Sequence, residues 1–82
     1  METIKEKEGI LLKLSNDEAL VLINWLFRFN EADHSKFIQH QSENRILWDM
    51  ESILEKSVNE VFSNNYIEAL AKARKRIEDS EN

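Results

Sequence analysis

The chain has 82 residues, with no cysteine and no proline, and Gly9 is its only glycine. Without cysteine no disulfide can brace the fold. A chain this short buries only about two thirds of its unfolded surface, and small domains usually compensate with such a brace, a metal or self-association. The missing cysteine also agrees with the reducing cytoplasm. A single glycine cannot build a phosphate-cradling loop or a dinucleotide fingerprint. There is no G-x-S-x-G, and no histidine is placed as a base for a serine nucleophile. Long apolar runs are missing as well. The longest is ALVLINWLFRF, Ala19 to Phe29, about half the ~20 residues that cross a bilayer. The opening METIKEKEG is charged throughout and lacks the apolar centre of a signal peptide. A cytoplasmic protein that stays off the membrane is expected.

What is present describes a globular chain read as one domain, 1–82. Hydrophobic residues make up 41% and charged residues 33%, which separates it from disordered sequences. The formal net charge of −5 is unevenly spread. Lys72, Arg74, Lys75 and Arg76 against Glu68 leave Tyr66 to Ile77 at +3, so the remainder sums to −8. An acidic body disfavours nonspecific contact with phosphate backbones and favours solubility or basic partners.

The pattern predicts a mainly α fold: a short N-terminal strand or hairpin, then a three-helix bundle packed around a central hydrophobic helix. Residues 1–8 read as flexible. Residues 9–14 alternate, with Ile10, Leu12 and Leu14 on one side and Leu11 and Lys13 on the other, which is a strand period. A lone strand leaves its backbone groups unpaired. Either Thr3–Lys5 folds back on it over Lys7-Glu8-Gly9, or the same strand of a second copy pairs with it across a two-fold axis.

The first helix is expected over 16–30. Ser15 and Glu18 form a capping box, and Asp17 and Glu18 suit the positive end of the dipole. Its apolar residues cover roughly 260° of the circumference, broken only by Asn24 and Arg28. This is the reason to expect a central helix, with Trp25 in the core. Residues 31–41 read as a polar loop pinned to the core by Phe37 and Ile38. The second helix is expected over 42–61, with Ile46, Leu47, Met50, Ile53, Leu54, Val58 and Val61 as its stripe and Trp48 off it. FSNNY, Phe62 to Tyr66, is a corner with Asn65 and Glu68 as a second capping box. The last helix is expected over 64–78, with Tyr66, Ile67, Leu70, Ala73 and Ile77 facing inward, and 79–82 as a tail.

Taken together, LSNDEALVLINWLFRFN, RILWDMESILEK and FSNNYIEALAKARKRI resemble a family of short bacterial proteins. That family reads strand, LxxDEALVLxxWL helix, LWxLExxLEK helix, FxxxY corner, final helix. The resemblance covers roughly residues 10–77, by the extent of those packing patterns. It implies a bacterial cytoplasmic setting and this order of elements, and it brings no catalytic residue with it.

No enzyme, metal site or cofactor is expected. Asp33, His34, His40 and Glu43 could be drawn together around a metal, but two histidines in a polar loop fall short of a four-ligand structural zinc site. Core-facing Glu-x-x-His is absent. Glu51 and Glu55 lie on a solvated helix face rather than in a cleft. Lys72, Arg74, Lys75 and Arg76 are the residues that could contact nucleic acid or an acidic partner. They point in different directions around a helix and suit its C-terminal dipole equally well.

The expected function is a small non-enzymatic protein–protein interaction module, homodimeric, with Val21, Trp25, Phe29 and Trp48 as interface candidates. The dimer would cover the apolar arc left open by two partner helices, or would form through paired strands. A narrower version is an immunity- or antitoxin-like inhibitor whose acidic body masks a basic partner. The alternative is a small nucleic-acid-binding regulator using Lys72–Arg76.

Overall fold

The computed structural model describes residues 1–58 and 63–80. It is mainly helical with an N-terminal antiparallel hairpin. Strands β1 (Glu2–Glu6) and β2 (Gly9–Lys13) pair from Glu2 opposite Lys13 to Glu6 opposite Gly9. The stretch 1–8, expected to be flexible, therefore supplies a strand. Its Thr3 and Ile4 find Leu12 and Leu11 across the ladder. Side chains alternate, so Ile4 and Leu11 share one face of the hairpin while Ile10 and Leu12 occupy the other. All ten strand residues are exposed.

Helix α1 spans Asn16–Glu31, one residue past the expected end. Its capping box forms: the Glu18 N–H donates to Ser15 Oγ at 3.1 Å, and the Ser15 N–H donates to Glu18 Oε1 at 2.8 Å. These bonds satisfy two of the donors that every helix start leaves open. The second Glu18 oxygen accepts from the Met1 ammonium at 2.8 Å and ties the hairpin's start to α1.

The expected loop 31–41 is shorter and more ordered than its composition implied. One turn of 3₁₀ helix occupies Ser35–Phe37, and α2 already begins at Gln41. His40 is its N-cap, with Nδ1 accepting the Ser42 N–H at 3.1 Å. Helix α2 ends at Ser57, and Val58 is its C-cap. The rest of the expected helix, 59–61, lies outside the described residues, as does Phe62 of the corner.

Helix α3 spans Tyr66–Asp79 and takes in the first residue of the expected tail. Ser80 caps it, and 81–82 lie outside the described residues. The capping box expected at Asn65 does not form, because its backbone (φ −98°, ψ 17°) is not the extended conformation that aims a cap side chain at the helix. Instead, Ser63 Oγ accepts the Asn65 N–H at 2.9 Å.

The buried core consists of Leu20, Ile23 and Leu26 of α1, Leu54 of α2 with Val58 after it, and Leu70 and Ala73 of α3. Helix α1 packs against both α2 and α3. Ala73 is fully buried, so the small side chain lets α3 approach closely. Asn24, which interrupts the apolar run of α1, donates from Nδ2 to the Tyr66 hydroxyl at 2.8 Å. Its Oδ1 accepts from Arg28 Nε at 3.0 Å and Arg74 Nη2 at 3.2 Å. Asn30 Nδ2 donates to Glu51 Oε1 at 3.0 Å and links α1 to α2.

Several expected core residues face outward. Ile46 and Ile53 lie at the edge of the α2 stripe and are exposed, while Leu47 and Met50 are half-buried. Ile67 is the most exposed large apolar residue of the described chain. It stands about 100° around α3 from Tyr66, off the row that Leu70 and Ala73 define. Phe37 does not pin its segment down: it is 73% exposed, while Ile38 is half-buried.

The radius of gyration is 14.2 Å, against roughly 12 Å for a compact chain of this length. A hairpin with every residue exposed contributes to that excess. Among the described residues, no helix is long and apolar enough to cross a membrane.

Candidate functional site

Val21, Trp25 and Phe29 recur every four residues on α1, so they form one row along the helix. The row borders the packed side of α1: Val21 and Phe29 are half-buried, Val21 against the core, and Trp25 between them is exposed. Trp25, expected in the core, is 42% exposed. The other apolar residues of α1 are buried or half-buried, and the indole lies on the part of the circumference left open to solvent. Its ring stacks on Phe29, with centroids 4.8 Å apart and planes 23° from parallel.

Phe29 in turn meets His34 at 4.7 Å and Phe37 at 6.4 Å. An aromatic series thus runs from mid-α1 to the 3₁₀ turn. Beside it, an open and mainly apolar groove is lined by Val21, Leu22 and Trp25 of α1, Ile77 of α3 and Met1, with Glu18 and Arg28 at its rim. Ile77 was expected to face inward on the last helix and Leu22 to lie within the apolar arc of the first, but neither was named as an interface candidate. Ile77 could not be placed against Trp25 without knowing that the end of α3 lies beside the first half of α1.

Trp48 stands apart on α2 and is 55% exposed. Neither the hairpin nor the 31–41 segment folds over it. Its neighbours on that side of the helix are polar, unlike the apolar surroundings of Trp25.

Of the four cations of α3, Lys72 and Arg76 are one turn apart and share a side of the helix, with Lys75 beside them and Arg74 on another side. Lys72 pairs with Glu68 at 3.1 Å and Lys75 with Asp79 at 3.5 Å, each one turn along the same helix. Arg74 reaches Asn24. Arg76 donates two bonds of 2.7 Å to Asp17 on α1. Those bonds hold the Asp17 carboxyl below its ordinary range and raise the guanidinium; desolvation opposes both shifts and the charge pairing adds to them.

The four residues weighed as metal ligands each have partners of their own. His34 Nδ1 lies 2.8 Å from the Ala32 carbonyl and Nε2 3.2 Å from Asn44 Oδ1. Asp33 Oδ1 accepts from the Ser35 hydroxyl and N–H, bonds that keep the carboxyl below its usual range. Glu43 Oε1 accepts the Gln39 N–H at 2.9 Å, and His40 caps α2. Among the described residues, no three acidic or histidine side chains gather around a common point.

This surface consists of a part-exposed indole, apolar neighbours, Arg28, and Glu18 paired with the Met1 ammonium. The chain matches no protein-family model, no curated protein and no solved structure.

Proposed function

We propose that this protein is a small non-enzymatic module for protein–protein interaction in which α1 serves two purposes. Toward α2 and α3 it is the centre of the bundle. Beside Ile77 of α3, where Trp25 remains exposed, it presents the Trp25 face to a partner protein. The observation that carries this reading is the state of Trp25, part-exposed and stacked on Phe29. A rigid aromatic side chain flanked by apolar groove walls loses little conformational freedom on binding, and such anchors dominate interface energetics. The groove between Val21, Leu22, Trp25 and Ile77 would take an apolar side chain of the partner, with Arg28 and Glu18 fixing its polar surroundings. The net charge of −5 favours a partner whose contact surface is basic, as in the inhibitor version of this reading.

The nucleic-acid alternative has less to draw on. Arg76 and Arg74 turn back to Asp17 and Asn24, while Lys72 and Lys75 pair along α3. A recognition surface keeps its cations convergent and available to phosphates.

The test is a photo-crosslinking residue placed at position 25 in the native host, with the same residue at the outward-facing position 67 as control. A discrete adduct from position 25 alone identifies the partner. With that partner purified, Trp25→Ala should weaken binding by about 30-fold or more, the loss expected of a hot spot. Unchanged affinity would refute the proposed face, and salt-sensitive DNA binding without any protein adduct would favour the regulator.

A further inference from the structure

The hairpin presents an anomaly that the Trp25 face does not address. A two-stranded sheet is marginal alone in water, and a stable one normally rests one face on a core. Here both faces carry large apolar residues, Ile4 with Leu11 on one and Ile10 with Leu12 on the other, and all four are exposed. The outer edges of both strands are also unpaired among the described residues, where the sheet has two strands.

The two edges differ in how they would meet a copy of themselves. On β1, an antiparallel two-fold centred on Ile4 sets Glu2 opposite Glu6 of the other copy, and like charges directly opposed are destabilising. Charged side chains of this kind are how natural sheets protect an edge from pairing. On β2, a two-fold centred on Leu11 sets Leu11 opposite itself, Ile10 opposite Leu12 and Gly9 opposite Lys13. No like charges meet. Three consecutive apolar residues form the centre of this edge, without a charge to block it.

The charge of the whole element points the same way. Residues 2–13 contain Glu2, Glu6 and Glu8 against Lys5, Lys7 and Lys13, so the hairpin is neutral and the net −5 resides in the rest of the chain. Two copies joined through hairpins would meet at their neutral parts and keep their acidic bodies apart.

We infer that a second copy of this chain docks on the β2 edge, giving a four-stranded antiparallel sheet in the order β1, β2, β2, β1 with a two-fold axis at Leu11. In that sheet the Ile4–Leu11 pairs of both copies form one continuous apolar row. On the opposite face, Ile10 and Leu12 of each copy stand across from Leu12 and Ile10 of the other. The pairing uses no residue of the Trp25 face and stands or falls independently of it.

The register supplies its own test, because residue 11 faces itself only at that axis. Sedimentation equilibrium of the full chain from about 5 to about 500 µM covers the affinities usual for a small interface. Wild type should approach twice 9.7 kDa across that range. Leu11→Lys alone and Leu11→Glu alone should each remain at the monomer mass. An equimolar mixture of the two should recover the dimer, since opposite charges then meet on the axis. Helical circular dichroism of both variants should match wild type, because Leu11 is not part of the helical core. A wild-type monomer at the highest concentration would overturn the proposal. So would a mixture that stays monomeric, or a dimer that survives Leu11→Lys but is lost with Trp25→Ala.

Discussion

Arg76 grips Asp17 through two parallel hydrogen bonds of 2.7 Å, joining the last turn of α3 to the first turn of α1 across 59 residues of sequence. Both groups sit where the helix dipoles favour them, an acid at a start and a base at an end. The fork of the guanidinium matches the carboxylate and fixes the mutual position of the two helices as well as their charge.

The pair makes stability depend on acid. The Asp17 carboxyl titrates lower in the folded protein than in the unfolded chain, where the ordinary value is ~3.9. Its contribution is therefore complete above that value and is lost as the pH falls through the lower, folded one. Asp17→Asn should unfold at lower urea than wild type at neutral pH, and the two midpoints should converge as the pH falls below the ordinary carboxylate value. Glu18 and Asp33 shift in the same direction, so some acid sensitivity should remain in the variant. Midpoints that stay a constant distance apart as the pH falls would show that the pair contributes nothing.

Tyr66 and Asn24 form the other tie between α1 and α3. Tyr66→Phe removes the acceptor for Asn24 Nδ2 and should cost about 1 kcal/mol in chemical denaturation, since a part-buried donor is left without a partner. A double-mutant cycle with Asn24→Leu should show coupling of about 0.5–1.5 kcal/mol. Strict additivity would mean that solvent replaces the bond at no cost.

The helix starts separate by cap geometry. Ser15→Ala should destabilise the protein by about 1 kcal/mol, because its Oγ holds the Glu18 N–H. Asn65→Ala should be close to neutral, because that side chain makes no cap bond. Equal losses at the two positions would contradict this description of the caps.

Core and surface should diverge just as clearly. Ile23→Ala empties a fully buried site and should cost about 2–5 kcal/mol. Ala73→Leu forces extra volume between α1 and α3 and should cost about 1–3 kcal/mol. Trp25→Ala removes a larger side chain yet should cost less than Ile23→Ala, as read by urea denaturation. If Trp25→Ala proved the more damaging, the indole would have to be a structural member of the core.

How much of this was legible in the sequence depended on whether the signal was local. The Ser15–Glu18 cap, the helical periods and the Lys75–Asp79 pair are fixed by residues within one turn of each other, and they can be read directly. The mainly helical fold with its N-terminal strand followed from the same periods. Burial was less accessible. Ile46, Ile53 and Ile67 match a helical stripe by spacing, but which of its edges meets a neighbour is set by where the other helices lie. Trp25 was assigned to the core on hydrophobicity, although two contacting helices reach only part of an arc of roughly 260°. Asn24 appeared only as an interruption. That it joins Tyr66 and Arg74 is a tertiary fact, separated by 42 and 50 residues. Of the candidate site, the row Val21, Trp25, Phe29 was visible from spacing, while Leu22 and Ile77 became visible only once α3 had been set against α1.

Gly9 carries a last consequence. It sits at the start of β2 without a positive φ, and a side chain there would meet no atom within 4 Å. Nowhere among the described residues does the main chain adopt the left-handed conformation that singles out glycine. Architectures with obligatory glycine or proline are brittle at those points, since no other residue type will serve. Among the described residues there are no such fixed points, so saturation mutagenesis there should find the intolerant positions inside the packed interior and the recognition surfaces, with none set by the conformation of the main chain itself.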